Sequence, residues 1–299
     1  ITPNGGETYA ANSIQLVTYT ATDASGISHI DFYMSDDGGS SWKAVGKNEP
    51  NGGSFSWFVP NRPGATLIKV EAYDNAGNEG EDISDATFNI TQAPAGVVPT
   101  TLRDIDMPGT QPFEGAMVED PQGCATCHGN YNAAIEPWEN WRGSMMGQTQ
   151  RDPLFLATMV IAEQDAPSAG DLCLRCHTPG GWQAGRSVDT SGDLINELDR
   201  WGVQCDFCHR IVDPVYVAGV SPPQDVDVLG DIDPLPLQNG NGQFINDGDP
   251  WRRGPRADAD ASHQFLESGI HRSSDLCGTC HDVSNPVFVR VGTYDYAPN

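Results

Sequence analysis

The chain has 299 residues, 38% of them hydrophobic, and a formal net charge of −25 at pH 7. Nucleic acids and anionic membranes are recognised through clustered Lys and Arg, so this charge argues against both as partners. No apolar run approaches the roughly 18 residues that a membrane-spanning helix needs. No basic segment followed by an apolar stretch opens the sequence, so we expect a secreted product whose signal peptide is absent. The length suits two domains.

Residues 1–90 have the pattern of an antiparallel β-sandwich. The segment Ile27–Ser35 alternates, with Ile30, Phe32 and Met34 on one face. Further strands are expected at Ser13–Thr20, Ser54–Val59, Thr66–Tyr73 and Ala86–Ile90. Short strands at regular spacing with polar turns between them favour a sandwich.

The turns of this domain carry a resemblance. Pro3–Glu7 (PNGGE), the hairpin Ser35–Trp42 and the turn Tyr73–Asn78 resemble the immunoglobulin-like or fibronectin-like modules of secreted bacterial proteins. In such modules a first strand precedes the PNGGE motif, and here only Ile1 and Thr2 stand before it. The resemblance implies a sandwich whose first strand is cut short.

The rest of the chain divides into a short arm and a loop-rich region. Residues 91–117 contain four prolines without apolar periodicity, which predicts a linker or a wrapping arm. Residues 118–299 predict a mostly irregular domain with short helices. The best helix candidates are Pro137–Met146, Pro153–Gln164 and Leu194–Arg200. So little regular structure buries an adequate core only if a large apolar cofactor contributes to it.

All eight cysteines belong to four CxxCH motifs. In chain order, the cysteine pairs are Cys124 and Cys127, Cys173 and Cys176, Cys205 and Cys208, and Cys277 and Cys280, followed by His128, His177, His209 and His281. Two thiols about one helical turn apart can add across the two vinyl groups of a haem, and the next histidine then supplies the proximal iron ligand. The motifs predict four covalent haem c groups. Because haem is attached in this way outside the cytoplasm, they also predict an extracellular or periplasmic protein.

Other uses of paired cysteines fit these motifs less well. Zinc knuckles do not require a histidine after every second cysteine. A thioredoxin-like redox pair needs one motif rather than four, and a disulfide framework would not repeat one spacing four times.

Distal iron ligands are fewer than the haems require. Of the seven histidines, the four proximal ones leave His29, His263 and His271. Four six-coordinate haems need four distal ligands, and a symmetric homo-oligomer leaves this shortfall unchanged. At least one haem therefore uses methionine, another side chain, a foreign ligand or nothing. We predict His263 and His271 as distal ligands, with surface or propionate-bonding roles as the alternative.

Three weaker candidates remain for the distal positions. Met145 and Met146 offer a thioether, which would raise the potential of the haem that it binds. Flexible core filling is their alternative role. His29 lies on the polar face of its strand. It is either an ordinary exposed histidine or a ligand donated across a domain or subunit boundary.

Two charge patterns add further candidates. After residue 90 the chain has twelve arginines and no lysine, and the arginine fork binds carboxylates such as haem propionates bidentately. The candidate propionate partners, with solvated surface charge as the alternative, are Arg142, Arg151, Arg175, Arg186, Arg210, Arg252 and Arg253. The acidic stretch Asp225–Asp233 is a candidate calcium loop, or a solvated loop, since it lacks the EF-hand pattern.

The residues within and around the motifs also resemble those of a known family. Trp141–Met146, Arg151–Pro153, Cys173–Pro179, Cys205–Arg210 and Cys277–Val283 resemble a family of secreted bacterial multihaem cytochromes c. The wider class is related to cytochrome c554 and hydroxylamine oxidoreductase. The resemblance implies an electron carrier. Many members carry further haems after the position equivalent to Cys280, so the haem count of the whole protein stays open.

The sequence therefore favours electron transfer along closely packed haems, with other redox proteins or copies of itself as partners. Such a protein is either a periplasmic carrier or a subunit of an extracellular filament, polymerised through the sandwich or the proline-rich arm. The alternative is a periplasmic haem enzyme that reduces or oxidises a small nitrogen or sulfur compound at a five-coordinate haem, which the ligand shortfall motivates. No catalytic residue is predicted. A third interpretation is an adhesion module in which the haems only stabilise the fold.

Overall fold

The computed structural model describes residues 1–237, 239–283, 288–290 and 296–298. It divides into two compact units, Ile1–Arg103 with Glu163–Ser168, and Asp104–Ala162 with Ala169–Asn299. The predicted arm, residues 91–117, is thus shared between the units. Gln238 and residues 284–287, 291–295 and 299, which belong to the predicted haem domain, lie outside the described residues.

The first unit is rich in β-strands. They are β1 (Thr8–Ala10), β2 (Ile14–Thr18), β3 (Ile27–Ser35), β4 (Lys43–Glu49), β5 (Ser54–Phe58), β6 (Gly64–Asp74), β7 (Glu79–Ile83) and β8 (Phe88–Thr91). Strand β6 is the centre of the larger sheet, because it pairs with β3 on one edge and with β7 and β8 on the other. Strand β4 extends this sheet beside β3, and β1 pairs with β8 in parallel. Strands β2 and β5 form a separate antiparallel pair.

The core of the first unit contains residues from both sheets. Val17 and Trp57 come from the β2–β5 pair, whereas Phe32 and Ile68 come from the larger sheet. Burial of these apolar surfaces supplies the main stabilising free energy of the unit. The prediction of a β-rich N-terminal domain is confirmed.

The alternation predicted for β3 is confirmed in detail. Ile30, Phe32 and Met34 all belong to the core. Asp31, on the opposite face, is also buried, with 6% of its surface exposed. Its carboxylate accepts the Asn48 backbone N–H at 2.8 Å, which offsets the cost of burying the charge.

The second unit contains short helices and small sheets. Its α-helices among the described residues are α1 (Pro121–His128), α2 (Pro137–Arg142), α3 (Met145–Gln148), α4 (Pro153–Asp165, whose last turn belongs to the first unit), α5 (Ala169–His177), α6 (Pro179–Gln183), α7 (Cys205–His209), α8 (Asp225–Gly230) and α9 (Asp275–His281). Single 3₁₀ turns occur at Leu102–Ile105, Thr149–Arg151, Arg186–Val188, Asp199–Trp201 and Gly269–Arg272. Its strand pairs are β9 (Ile211–Val212) with β10 (Ile245–Asn246), β11 (Arg252–Gly254) with β12 (Phe265–Glu267), and β13 (Phe288–Arg290) with β14 (Tyr296–Pro298). None of the helices in the described part of the chain has the length and apolarity required to cross a membrane.

Two of the three helix predictions need correction. The segment Pro137–Met146 is interrupted before Ser144, whose hydroxyl accepts the Gly147 N–H and begins a new helix. The segment Leu194–Arg200 is not an α-helix. There the Asn196 side chain accepts the Leu198 N–H at 2.9 Å, and such local side-chain bonds compete with helix formation. Helix α4 confirms the remaining prediction.

The apolar core of the second unit is small. One cluster contains Phe207, Phe244 and Trp182, and another contains Phe155 and Leu174. Phe207 and Leu174 are internal residues of CxxCH motifs, so the motif helices themselves form part of the core. This agrees with the expectation that the second unit has little apolar material of its own.

We predict that Phe32→Ala lowers the free energy of unfolding of the first unit by roughly 3–5 kcal/mol, because the truncation leaves a cavity in its core. Denaturant unfolding of the full chain measures the change. The matched control is Ile14→Ala on β2, where 66% of the side chain is exposed, and a change within about 0.5 kcal/mol is expected. Equal losses in both variants would contradict the assigned core.

Candidate haem-binding site

Each CxxCH motif ends a short helix at its histidine. The helices α1, α5, α7 and α9 end at His128, His177, His209 and His281. Because an α-helix turns once in 3.6 residues, the two cysteines of each motif lie about one turn apart. None of the eight cysteines forms a disulfide bond. Every motif therefore has the local geometry that two thioether bonds to one porphyrin require.

The first motif, Cys124–His128, lies opposite His263. The ring centroids of His128 and His263 are 6.4 Å apart, with the planes tilted by 44°. The Nδ1 atom of His263 is 3.1 Å from the carbonyl oxygen of Gln264, so Nε2 is not used by this contact. The structure thus brings together a proximal histidine and a spare histidine that are 135 positions apart in numbering.

The third motif, Cys205–His209, lies opposite His271 in the same way. The two ring centroids are 6.2 Å apart and the planes differ by 14°. Nε2 of His271 lies 3.0 Å from the Cys208 carbonyl oxygen, whereas its Nδ1 is buried without a hydrogen-bond partner. Burial lowers the pKa of His271 to about 4, so the ring is neutral at pH 7, as a metal ligand must be.

These separations can be compared with metal geometry. With a metal–nitrogen bond of about 2.0 Å and a ring centre about 1.1 Å behind the nitrogen, two imidazoles on one metal have centroids about 6 Å apart. Both histidine pairs have this separation. The unpartnered Nδ1 of His271 also offers a lone pair where a metal would satisfy it. The residues at the first and third motifs therefore fit a six-coordinate haem iron.

The second and fourth motifs, Cys173–His177 and Cys277–His281, have a different environment. The His177 ring stacks on Phe155 at 3.9 Å with an interplanar angle of 4°. Its Nδ1 atom is buried without a partner, and burial lowers the pKa of His177. Since His263 and His271 lie opposite the other two motifs, neither supplies a distal ligand here.

The motifs also contact one another through their cysteines. The proximity of the Cys205 thiol of the third motif lowers the pKa of the Cys124 thiol of the first motif to about 7, and the same proximity raises the pKa of Cys205. The Cys176 thiol of the second motif is likewise close to Cys280 of the fourth. The motifs are thus paired first with third and second with fourth.

The structure gives less support to the three weaker candidate ligands than to His263 and His271. Met145 is 74% and Met146 47% exposed at the start of α3, so neither fills a core. The Met146 carbonyl accepts the Val203 N–H at 3.0 Å, just before the third motif. His29 belongs to the first unit, where its ring stacks on Tyr73 at 4.6 Å. A ligand role for each stays a prediction.

Several arginines predicted to meet haem propionates are instead paired with protein carboxylates. Arg186 donates two hydrogen bonds of 2.6 Å to the Asp199 carboxylate. Arg210 and Arg252 both contact the Asp206 carboxylate, inside the third motif. Buried aspartates need such arginine partners. The burial of Asp199 and Asp206 could not be read from the sequence, so these ion pairs were not predicted.

The calcium prediction for Asp225–Asp233 is also not supported. The Asp225 carboxylate is buried against Arg253, at 2.7 Å. In the described part of the chain, the grouped carboxylates that could hold a metal are Glu71, Glu79 and Glu81 instead. Glu71 is already paired with Lys69.

Arg175 anchors the second motif. Its side chain is buried, its Nε donates to the Gly242 carbonyl at 2.6 Å, and Nη2 donates to the Pro108 carbonyl at 3.0 Å. The guanidinium also lies 4.3 Å from the centre of the Trp182 ring, a favourable cation–π distance. Gly242 has φ +70°, a conformation that glycine adopts without strain.

Comparison with known proteins supports a haem-binding interpretation. Residues 123–210, which include the first three motifs, match the family model described as cytochrome c554 and c-prime. The match supports a c-type cytochrome with covalently bound haem c and a role in electron transfer or another redox process. No curated protein matches the chain. Among solved structures, the fibronectin(III)-like modules of Clostridium thermocellum CbhA match 31% of this chain and 45% of theirs, with 15% identity and a TM-score of 0.23, which is a weak likeness.

We predict that Arg175→Leu destabilises the second unit, because the Gly242 and Pro108 carbonyls lose their donors at roughly 1–3 kcal/mol each. Thermal and denaturant unfolding of the full chain measure the effect. Arg142→Leu is the matched control, since Arg142 makes an exposed ion pair with Glu139 and such pairs contribute about 0–1 kcal/mol. A loss no larger than that of the control would refute the anchoring role.

Proposed function

We propose that this chain is a multihaem c-type cytochrome that transfers electrons outside the cytoplasm through covalently attached haem c. The observation that carries the proposal is the position of the two spare histidines. His263 lies opposite His128 and His271 lies opposite His209, each at the separation of two ligands on one metal. A zinc knuckle or a thiol redox pair gives no reason for that arrangement.

The side chains of each motif have separate tasks in this proposal. The cysteine pairs hold a porphyrin by thioether bonds, and the histidine that follows binds its iron. When bound, haem supplies a one-electron ferric–ferrous couple. His128 with His263, and His209 with His271, would each hold one iron between them, and an iron bound by two imidazoles would favour electron exchange over substrate binding. Phe207 and Phe244, both almost completely buried, exclude water beside the third motif.

The pairing of motifs supports transfer between haems. The Cys124–Cys205 and Cys176–Cys280 pairs would place the attachment points of two haems close together in each pair. Burial, together with the nearby Cys277 of the fourth motif, raises the pKa of the Cys208 thiol of the third motif to about 11. This proximity of thiols supports a path for electrons in the order first, third, fourth and second motif.

A redox enzyme is the second candidate function. It is favoured by the second motif, where His177 is packed against Phe155 and neither His263 nor His271 is available as a distal ligand. An iron with one open position can bind a small molecule. The substrate would be a small nitrogen or sulfur compound, as the sequence suggested.

We expect the purified protein, analysed by mass spectrometry after denaturation, to exceed the polypeptide mass by four haem masses, because thioether bonds survive denaturation. The Cys127→Ala and Cys208→Ala variants should each weaken attachment at one motif only. A bare polypeptide, or one that carries zinc, would refute the proposal.

We predict that His263→Ala and His271→Ala each convert one haem from low-spin to high-spin, because each removes a distal imidazole. Electron paramagnetic resonance and cyanide binding measure the change in the intact protein. His29→Ala tests the remaining spare histidine in the same way, and an unaltered spectrum would identify it as an ordinary histidine that stacks on Tyr73. High-spin haem in the unmodified protein that binds nitrite or sulfite would favour the enzyme, whereas fully low-spin haem would favour the carrier.

A further inference from the structure

A buried group of charges adjoins the third motif. The Arg253 side chain is fully buried, and its Nε and Nη2 donate to Oδ1 of Asp225 at 3.1 and 2.7 Å. Its Nη1 lies 2.6 Å from Oδ2 of Asp247. Both carboxylates are 1% exposed. We call these three residues the Arg253 clamp. Because each buried charge depends on the others for compensation, displacing any one of them is costly.

The main chain of the clamp contacts the proximal ligand. The carbonyl oxygen of Arg253 lies 2.7 Å from Nδ1 of His209, so the ring donates its Nδ1–H and keeps Nε2 for a metal. A histidine that ligates a metal is oriented by such an acceptor, which also makes the imidazole more basic. The clamp restrains the position of this acceptor, since the side chain of the same residue is held between two buried carboxylates.

The same small sheet leads to the distal ligand. Strand β11, which contains Arg253, pairs in parallel with β12. The Ser268 N–H, just after β12, donates to the Gly254 carbonyl at 2.9 Å. The Ser268 carbonyl then accepts the His271 N–H at 3.3 Å. Strand pairing therefore connects the clamp to both histidines of the third motif.

We propose that Arg253 is a positioning residue that lowers the reduction potential of the haem at the third motif. Its carbonyl increases the basicity of His209, which favours the ferric state over the ferrous state. By contrast, the Nδ1 atom of His177 has no hydrogen-bond partner, so the second motif lacks this effect. The inference depends on the proposed haem binding, and it assigns a specific role to a residue that is not an iron ligand.

The test uses the purified holoprotein and the variant Arg253→Lys, which keeps the charge but loses the fork that spans Asp225 and Asp247. Potentiometric titration followed by absorption spectroscopy resolves the haem components. We expect one component to shift to a more positive potential. The shifted component should be the one that His271→Ala converts to high-spin, which identifies it as the haem of the third motif.

The control is Arg186→Lys, because the Arg186–Asp199 pair has similar geometry and, within the described part of the chain, the Arg186 guanidinium donates to Asp199 rather than to a proximal histidine. It should move no component. If Arg253→Lys does not fold, Asp247→Asn loosens the clamp more mildly and should shift the same component in the same direction. Haem-loaded variants with no shift beyond the control, or with equal shifts in all components, would overturn the positioning role alone. A polypeptide without haem would overturn the proposed function as well.

Discussion

The second unit depends on one local constraint, which is that two thiols and an imidazole follow one another over five residues of a helix. This arrangement needs a helical turn at each motif, and helices α1, α5, α7 and α9 provide it. The helices are too short to be stable alone. Packing of internal motif residues, such as Leu174 and Phe207, therefore stabilises the same turns that hold the thiols. Attachment geometry and core packing are consequently properties of the same residues.

Buried charge has a larger part in this unit than its composition suggests. Asp206 is inside the third motif and is contacted by Arg210 and Arg252. Arg253 is likewise held by the carboxylates of Asp225 and Asp247. Such groups contribute specificity of position more reliably than stability. Because the apolar clusters are small, these ion pairs and the backbone bonds of Arg175 determine how the loops between the motifs are arranged. The acidity of the chain is thus partly structural.

The local patterns could be predicted well from the sequence. The apolar face of β3 followed from periodicity, and the prediction of a helix over Pro153–Gln164 matches α4 to within one residue. Strand β7 was missed because its sequence, EGEDI, is polar and lies at an exposed position of the sheet. The CxxCH spacing predicted the cysteine pairs and the proximal histidine of each motif. Which spare histidine lies opposite which motif could not be predicted, because it depends on contacts between segments far apart in the chain. The arginine partners depend on burial, which a single sequence does not reveal.

The pairing of the motifs has a topological consequence. The first motif contacts the third and the second contacts the fourth, so the two pairs are interleaved along the chain. Any single cut between the second and third motifs would separate both pairs at once. The unit therefore does not consist of two self-contained halves joined end to end, because neither half contains a complete pair of motifs. Its evolution by simple tandem duplication of a self-sufficient half would have required the partners to be exchanged afterwards, as occurs in domain swapping.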